Sequence, residues 1–306
     1  MRVLVTGVHG FVGGSVARFA VRQGHEVLGL ARSSQPPDDW RAGYSNIDVA
    51  WADAAPVLEE FRPDLIVHCA GSASVHDSFQ DPAADFNAST GILSRMLDSV
   101  RRSSSRPLLI FPSSAAVYGN SVEFPIAESA AVAPISPYGF NKLAAEVIAQ
   151  GYARCFGLKV CICRLFSVFG PAQRRLLVWE LFEEFSGSNP VVGLKGTGEE
   201  SRDYLHIDDV ASAFLGLAAA LVQYDAPSEP WVFNVASGME TPVMNLASLI
   251  GSIGGWAKPV KSSGKIRSGD PQKWCADIAR LREVLPNWKP SGMESRLAET
   301  LNEWRR

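Results

Sequence analysis

Tyr138 and Lys142 stand four residues apart in ISPYGFNKLAAEVIAQGYARCFG, a stretch framed by Pro134, Pro137 and Gly157. On a helix, side chains at i and i+4 share one face. A phenol and an ammonium so placed could be nothing more than a ring packed on a lysine stem. They could also be a proton-transfer pair, the charge of Lys142 drawing the Tyr138 pKa down toward the working pH. Upstream, the apolar run LLIFPSS ends in Ser113 and Ser114. A hydroxyl at the C-terminal end of a parallel strand points into the crevice where ligands of such sheets bind. Ser114 is thus expected to hold a substrate oxygen, Tyr138 to move the proton and Lys142 to tune Tyr138.

A second pattern decides between the two readings of the pair. VLVTGVHGFVGGSV places Gly7, Gly10 and Gly13 as GxxGxxG, directly after a strand and opening a helix, with Phe11 and Val12 inside the pattern. Glycines there let the turn close and bring backbone N–H groups to a pyrophosphate at the helix N-terminus. A nicotinamide dinucleotide beside Ser114, Tyr138 and Lys142 makes hydride transfer the expected chemistry. An acid ending the second strand would grip the ribose diol of NAD. HEVLGLARSS has none there; Arg32 and Ser33 stand in its place, and an arginine accommodates the 2′-phosphate of NADP. The cofactor is expected to be NAD or NADP, with Arg32 leaning to NADP.

The elements that must position these groups are short apolar runs alternating with helical patterns. RVLVTG, HEVLGLA, PDLIVHCAG, PLLIFPSS and LKVCICRLF are continuously apolar, as strands buried on both faces are. Helical stretches fall near 11–23, 82–102 and 138–156. The expected fold is α/β: a Rossmann-type doubly wound parallel sheet with a smaller C-terminal α/β substrate lobe. The dinucleotide-binding domain is expected over 1–165, with 202–236 returning to it, and WVFNVASG is one more strand of its sheet. Residues 166–306 form the interleaved lobe. The 306 residues carry 29 Lys+Arg against 32 Asp+Glu, a balance that offers no basic surface for nucleic acid. Five cysteines without a CxxC pair fit a reducing compartment and no metal site. No leader or membrane span is expected, and the location expected is cytoplasmic. His68 and His206 are expected to be structural.

With these residues in view, the chain resembles the extended short-chain dehydrogenases/reductases, in the NAD-dependent epimerase/dehydratase branch that acts on nucleotide-linked sugars. TGVHGFVG is similar to the family's TGxxGFxG, Tyr138–Lys142 to its YxxxK, and Ser114 falls at its Ser/Thr. The resemblance implies cofactor contacts at Asp48 and Val49 and at Cys69 and Ala70 in IVHCAG. It implies substrate contacts at Ser74, Asn87, Ser167 in RLFSVFGP, Arg202 in SRDYLHIDDVA and Arg267 in IRSGDPQKWCAD. The two arginines would clamp a diphosphate, as guanidinium forks do. A homodimer is implied as well, paired through a four-helix interface.

Departures narrow the reaction. The family's 4,6-dehydratases carry an Asp-Glu pair directly after the active-site Thr, where this chain has Ala115 and Ala116. Alanine moves no proton, so dehydration at that position is not expected. Ser167 replaces an asparagine common in relatives, which leaves the sugar open. The expected function is a nucleotide-diphosphate-sugar 4-epimerase working through a transient 4-keto sugar. The alternative is an NADPH-dependent reductase of a 4-keto-6-deoxy sugar. A non-catalytic NADP-binding redox sensor is the reading from another class, and such sensors typically lose the Tyr/Lys pair kept here.

Overall fold

The computed structural model describes residues 1–265 and 271–306. Its strands are β1 (Arg2–Thr6), β2 (Glu26–Ala31), β3 (Gly43–Asn46), β4 (Leu65–His68), β5 (Leu108–Ser114), β6 (Val160–Leu165), β7 (Ser167–Phe169), β8 (Val192–Leu194), β9 (Ser201–His206), β10 (Trp231–Val235), β11 (Glu240–Pro242) and β12 (Val260–Ser262). The helices are α1 (Phe11–Arg22), α2 (Ala55–Phe61), α3 (Val75–Gln80), α4 (Pro82–Phe86), α5 (Ile92–Arg102), α6 (Pro137–Phe156), α7 (Leu176–Ser186), α8 (Ile207–Leu221), α9 (Val243–Gly254), α10 (Ala279–Val284) and α11 (Met293–Trp304).

Seven strands form one sheet in the order β10-β6-β5-β4-β1-β2-β3, every neighbouring pair parallel. Alternate residues of a strand face opposite sides. Val3 and Val5 enter the core under α1 and α8, whereas Leu4 enters the core under α2, α5 and α6. Burial on both faces is why these strands read as unbroken apolar runs. β3, GYSN, escaped that reading: it is a short, half-exposed strand at the sheet's edge. The strand order reverses at β1 and β4, where Thr6 lies opposite His68. Such a switch point opens a ligand crevice at the strands' C-terminal ends.

Two small sheets, β11-β9-β7 and β12-β8, sit with α7, α9 and α11 around a third core that includes Phe169, Phe185, Leu246 and Leu301. The return to the large sheet therefore starts at α8, after β9 has been used in a small one. β10 then pairs with β6 at the sheet's edge. Among the described residues no helix is long and apolar enough to cross a membrane.

Candidate active site

The start of α6 sets the centre of the site. Ser136 caps the helix by accepting from the Gly139 N–H at 3.1 Å, and Pro137 occupies the first turn, where its missing N–H costs nothing. Ser78 accepts from the Tyr138 N–H at 3.0 Å. Gly139 lets this turn pack onto the loop after β5: a Cβ there would lie 2.7 Å from the Ala116 carbonyl oxygen. That contact presses Tyr138 toward Ser114, whose own hydroxyl accepts from the Ala116 N–H at 3.1 Å. One turn on, the buried Lys142 donates from Nζ to the Pro112 carbonyl at 3.1 Å, and Nζ lies 5.7 Å from the centre of the Tyr138 ring.

The electrostatics differ from the expectation. Burial pushes the Tyr138 phenol up to about 12, with the Ser114 hydroxyl opposing, the Asp85 carboxylate adding to the rise and Arg175 opposing it. Lys142, its Nζ 5.7 Å from the ring centre, does not figure among these influences. Burial draws Lys142 itself down to about 8, against the opposing pull of Cys69, Asp85 and Glu146. The pair is a half-buried phenol beside a weakened ammonium, not a phenol already poised near neutral pH.

Beneath Lys142 lies a buried polar network. Glu146, one turn further along α6, pairs with Arg164 of β6 at 2.7 Å and accepts from Ser113 at 2.5 Å. Arg164 also donates to the Tyr118 hydroxyl at 2.9 Å, and Tyr118 donates to Asn234 at 2.7 Å. A buried charge persists where partners satisfy it on every side.

The glycine turn meets the cofactor requirement. Gly7 takes φ +72°, and a Cβ on it would meet the backbone of Cys69 and Ala70 at 2.8 Å. Gly13 lies so close to the Gly7 carbonyl that its Cβ would come within 2.5 Å. Gly10 caps α1 with no side chain bonded to the helix N-terminus, so the first N–H groups point free toward an anion. Thr6 ties the turn to β4, its hydroxyl 3.1 Å from His68 Nδ1 and accepting from the Ala70 N–H at 3.0 Å. Burial first, and the Lys142 charge second, draw His68 down to about 3, which keeps it a neutral, structural ring. These residues fit a dinucleotide pyrophosphate.

A single cleft of about 1080 Å³ runs from this turn past Ser114, Tyr138 and Lys142. Gly10, Phe11, Val12, Gly13, Cys69 and Ala70 line it, as do Ser74 at the start of α3 and Ser167 and Arg202 of the small sheet β11-β9-β7. Ser74 doubles as the cap of α3, accepting from the Asp77 N–H at 3.1 Å. Arg202 is buried, donates to the Ser201 carbonyl at 2.7 Å and stacks over Trp274.

Other expected residues fall elsewhere. Arg32, Ser33, Asp48 and Val49 lie beyond the cleft, following β2 and β3. Arg32 is exposed with no ion pair among the described residues, and Asp48 caps the Ala50 N–H at 3.0 Å. Asn87 does not join the site: it opens a single π-helical turn, is exposed, and lies outside the cleft. A match to a helical asparagine fixes a position along the chain, and here the π turn sets which way it faces. Arg267 lies outside the described residues. The sequence reading missed Gly139, Asp85, Arg174 and Arg175. The two arginines had a signal, since adjacent cations opening a helix oppose its dipole.

The family model described as "NAD dependent epimerase/dehydratase family" matches residues 3–236. A UDP-glucose 4-epimerase of Mycolicibacterium smegmatis is 30% identical over 100% of this chain and 99% of its own length. Among solved structures, the UDP-glucose 4-epimerase of Thermotoga maritima, with UDP-glucose, superposes with a TM-score of 0.88 at 29% identity, over 100% of this chain and 99% of that one. TunA, an NAD-dependent NDP-hexosamine 5,6-dehydratase, gives a TM-score of 0.87 at 26% identity, over 100% and 98%. The glycine turn, the Ser114–Tyr138–Lys142 cluster and these matches lead to one conclusion: the chain belongs to the NAD-dependent epimerase/dehydratase family of extended short-chain dehydrogenases/reductases.

Proposed function

We propose that the protein interconverts the C4 epimers of a UDP-linked sugar through a transient 4-keto sugar, with NAD held by the glycine turn. The observation that carries this reading is the placing of Ser114, Tyr138 and Lys142 in one cleft between that turn and Arg202. Residues 1–165, with α8 and β10 returning to them, would hold the dinucleotide, and the rest of 166–306 the sugar nucleotide. The two relatives at 29–30% identity are UDP-glucose 4-epimerases. Ala115 and Ala116 speak against dehydration by an acid–base pair at that position.

Gly10, Phe11, Val12 and Gly13 would offer N–H groups to the pyrophosphate, and Cys69 and Ala70 would flank the nicotinamide ribose. Bound there, the dinucleotide supplies hydride acceptance and return at C4. Tyr138 takes the proton of the C4 hydroxyl and gives it back to the same oxygen. Ser114 holds that oxygen by a hydrogen bond. Lys142 keeps a positive charge against the ring, which favours the phenolate over its neutral form during transfer. Arg202 holds the diphosphate, with Arg267 as its expected second clamp. These donors leave the keto intermediate free to present its other face.

NAD is preferred because TunA, similar at 26% identity, is NAD-dependent. Arg32 remains the group that would meet a 2′-phosphate, and it supports the second reading, an NADPH-dependent 4-keto reductase. A homodimer would use the outer face of α6, where Phe140 and Val147 stand exposed. Tyr138→Phe should lower kcat by roughly 10²-fold while the dinucleotide stays bound, since only the proton transfer is removed. Turnover equal to the unaltered protein's would remove Tyr138 from the chemistry.

A further inference from the structure

The face of the large sheet that packs under α6 changes character at its C-terminal end. Leu109 and Phe111 of β5 and Val160 and Ile162 of β6 enter the apolar core shared with α6. Two residues further along each strand, and so on the same face, stand Ser113 and Arg164. They are partners in the strand register, and both are buried. Both reach one acceptor, the Glu146 carboxylate of α6. Its Oε1 accepts from Ser113 Oγ at 2.5 Å and from Arg164 Nε at 3.1 Å, and its Oε2 accepts from Arg164 Nη2 at 2.7 Å. The remaining nitrogen, Nη1, donates to the Tyr118 hydroxyl at 2.9 Å and to the Glu128 carbonyl at 3.1 Å, so the guanidinium is fixed on every side.

No step of the proposed chemistry uses Glu146, but its place on α6 gives it a task. Tyr138, Lys142 and Glu146 follow one another at four-residue spacing and so share a face of the helix. Along that side α6 meets β5 and the turn after it at three heights. Gly139 packs on the Ala116 carbonyl, Lys142 donates to the Pro112 carbonyl, and Glu146 accepts from Ser113. The first is a contact without direction, and the second is a single bond from a rotatable ammonium on a flexible stem. The third is a carboxylate gripped by a hydroxyl and a two-point guanidinium fork, which fixes how far along and how far round the helix sits. Ser113 immediately precedes Ser114, so the grip that seats Tyr138 also sets it against Ser114. Stability gives little reason for a charged pair here, since buried ion pairs are often replaced by apolar residues without loss. The Glu146 carboxylate also opposes the burial that weakens the Lys142 ammonium.

We propose that Glu146 is a positioning residue: by gripping Ser113 and Arg164 it holds α6 in register with β5 and sets the distance between the Tyr138 phenol and the Ser114 hydroxyl. This rests on the reading that those two groups act together at C4, but the distance can be observed without turnover. Glu146→Asp keeps the charge and draws the carboxylate back by one methylene. Ser113→Ala removes one bond and leaves the ion pair whole, so it carries the test alone if Glu146→Asp does not fold. Crystal structures of the NAD-loaded variants should show Tyr138 Oη and Ser114 Oγ further apart than in the unaltered protein, by about 0.5 Å. The kcat for C4 epimerisation of UDP-glucose should fall about tenfold in Glu146→Asp and less in Ser113→Ala, with KM and the retention of NAD unchanged. The double variant should lose no more than Glu146→Asp alone, because both changes loosen one grip. An unchanged spacing would overturn the proposal, as would a longer spacing that leaves kcat untouched. Losses in KM or NAD retention that match the loss in kcat would mean a general loosening and overturn it too, as would losses that multiply in the double variant. An unaltered protein that forms no C4 epimer would sink the 4-epimerase reading, and the spacing would then decide the register on its own.

Discussion

The floor of the cleft and its rim on α7 are held by opposite means. On the floor, Lys142, Glu146, Arg164, Ser113, Tyr118 and Asn234 are each bonded to a named partner, and the two ion-paired groups are almost wholly buried. At the rim, Arg175 lies exposed, extended itself and followed by a left-handed leucine. Chemistry needs the floor's arrangement, since a phenol that must meet one oxygen tolerates little misplacement. Specificity tolerates the rim's, since a guanidinium on a long stem can find its anion after the ligand arrives. The difference teaches where a change should abolish turnover and where it should only redirect it.

The comparison breaks most severely at the ion pair. Arg164→Met leaves Glu146 charged and buried, and should lower the free energy of unfolding by about 3–5 kcal/mol. Denaturant titration would check this, and a loss no larger than that of an exposed ion pair would mean water reaches the pair. Next comes Gly139→Ala. Its Cβ would lie 2.7 Å from the Ala116 carbonyl, so the start of α6 must move away from Ser114. Turnover should fall about 10²-fold with the dinucleotide Kd little changed. Equal losses in both would place the strain in the cofactor turn.

The smallest effect is in pH. Lys142 has a folded pKa of about 8, below the ordinary lysine value. Below that pH both folded and unfolded chains carry the ammonium, and burial counts against the fold. As pH rises through 8 the folded protein releases the proton while the unfolded chain holds it, so this penalty fades. Activity should move the other way: kcat/KM, which reports the free enzyme, should fall up to tenfold per pH unit above about 8 as the charge beside Tyr138 is lost. Lys142→Arg should shift that decline to higher pH. A decline unmoved by the substitution would belong to another group.

The floor was legible in the sequence because its parts are contiguous motifs. Gly7 to Gly13, Ser113-Ser114 and Tyr138 to Lys142 each lie on one turn or one helix start, and each has one local geometry. Gly139 was hidden between Tyr138 and Lys142, its meaning lying in the Ala116 carbonyl of the loop it packs against. Of the rim, Ser74, Ser167 and Arg202 were named through the family resemblance, whereas Arg174 and Arg175 were not, because the rim is assembled from separate segments and no contiguous motif covers the start of α7. Asn87 shows the same limit, since motif spacing does not say which way a π turn will face. The phenol's electrostatics also went against the sequence reading. Charge was counted there and desolvation was not, and desolvation is the larger influence.

The central claim is that C4 is oxidised and reduced again within one bound state. It is tested most directly with a UDP-sugar carrying deuterium at C4, incubated with the purified protein and no added cofactor. The account predicts that the C4 epimer forms and keeps its deuterium at C4. Formation of the epimer with deuterium lost to solvent, or turnover that proceeds only with stoichiometric NADPH and consumes a 4-keto sugar, would contradict it.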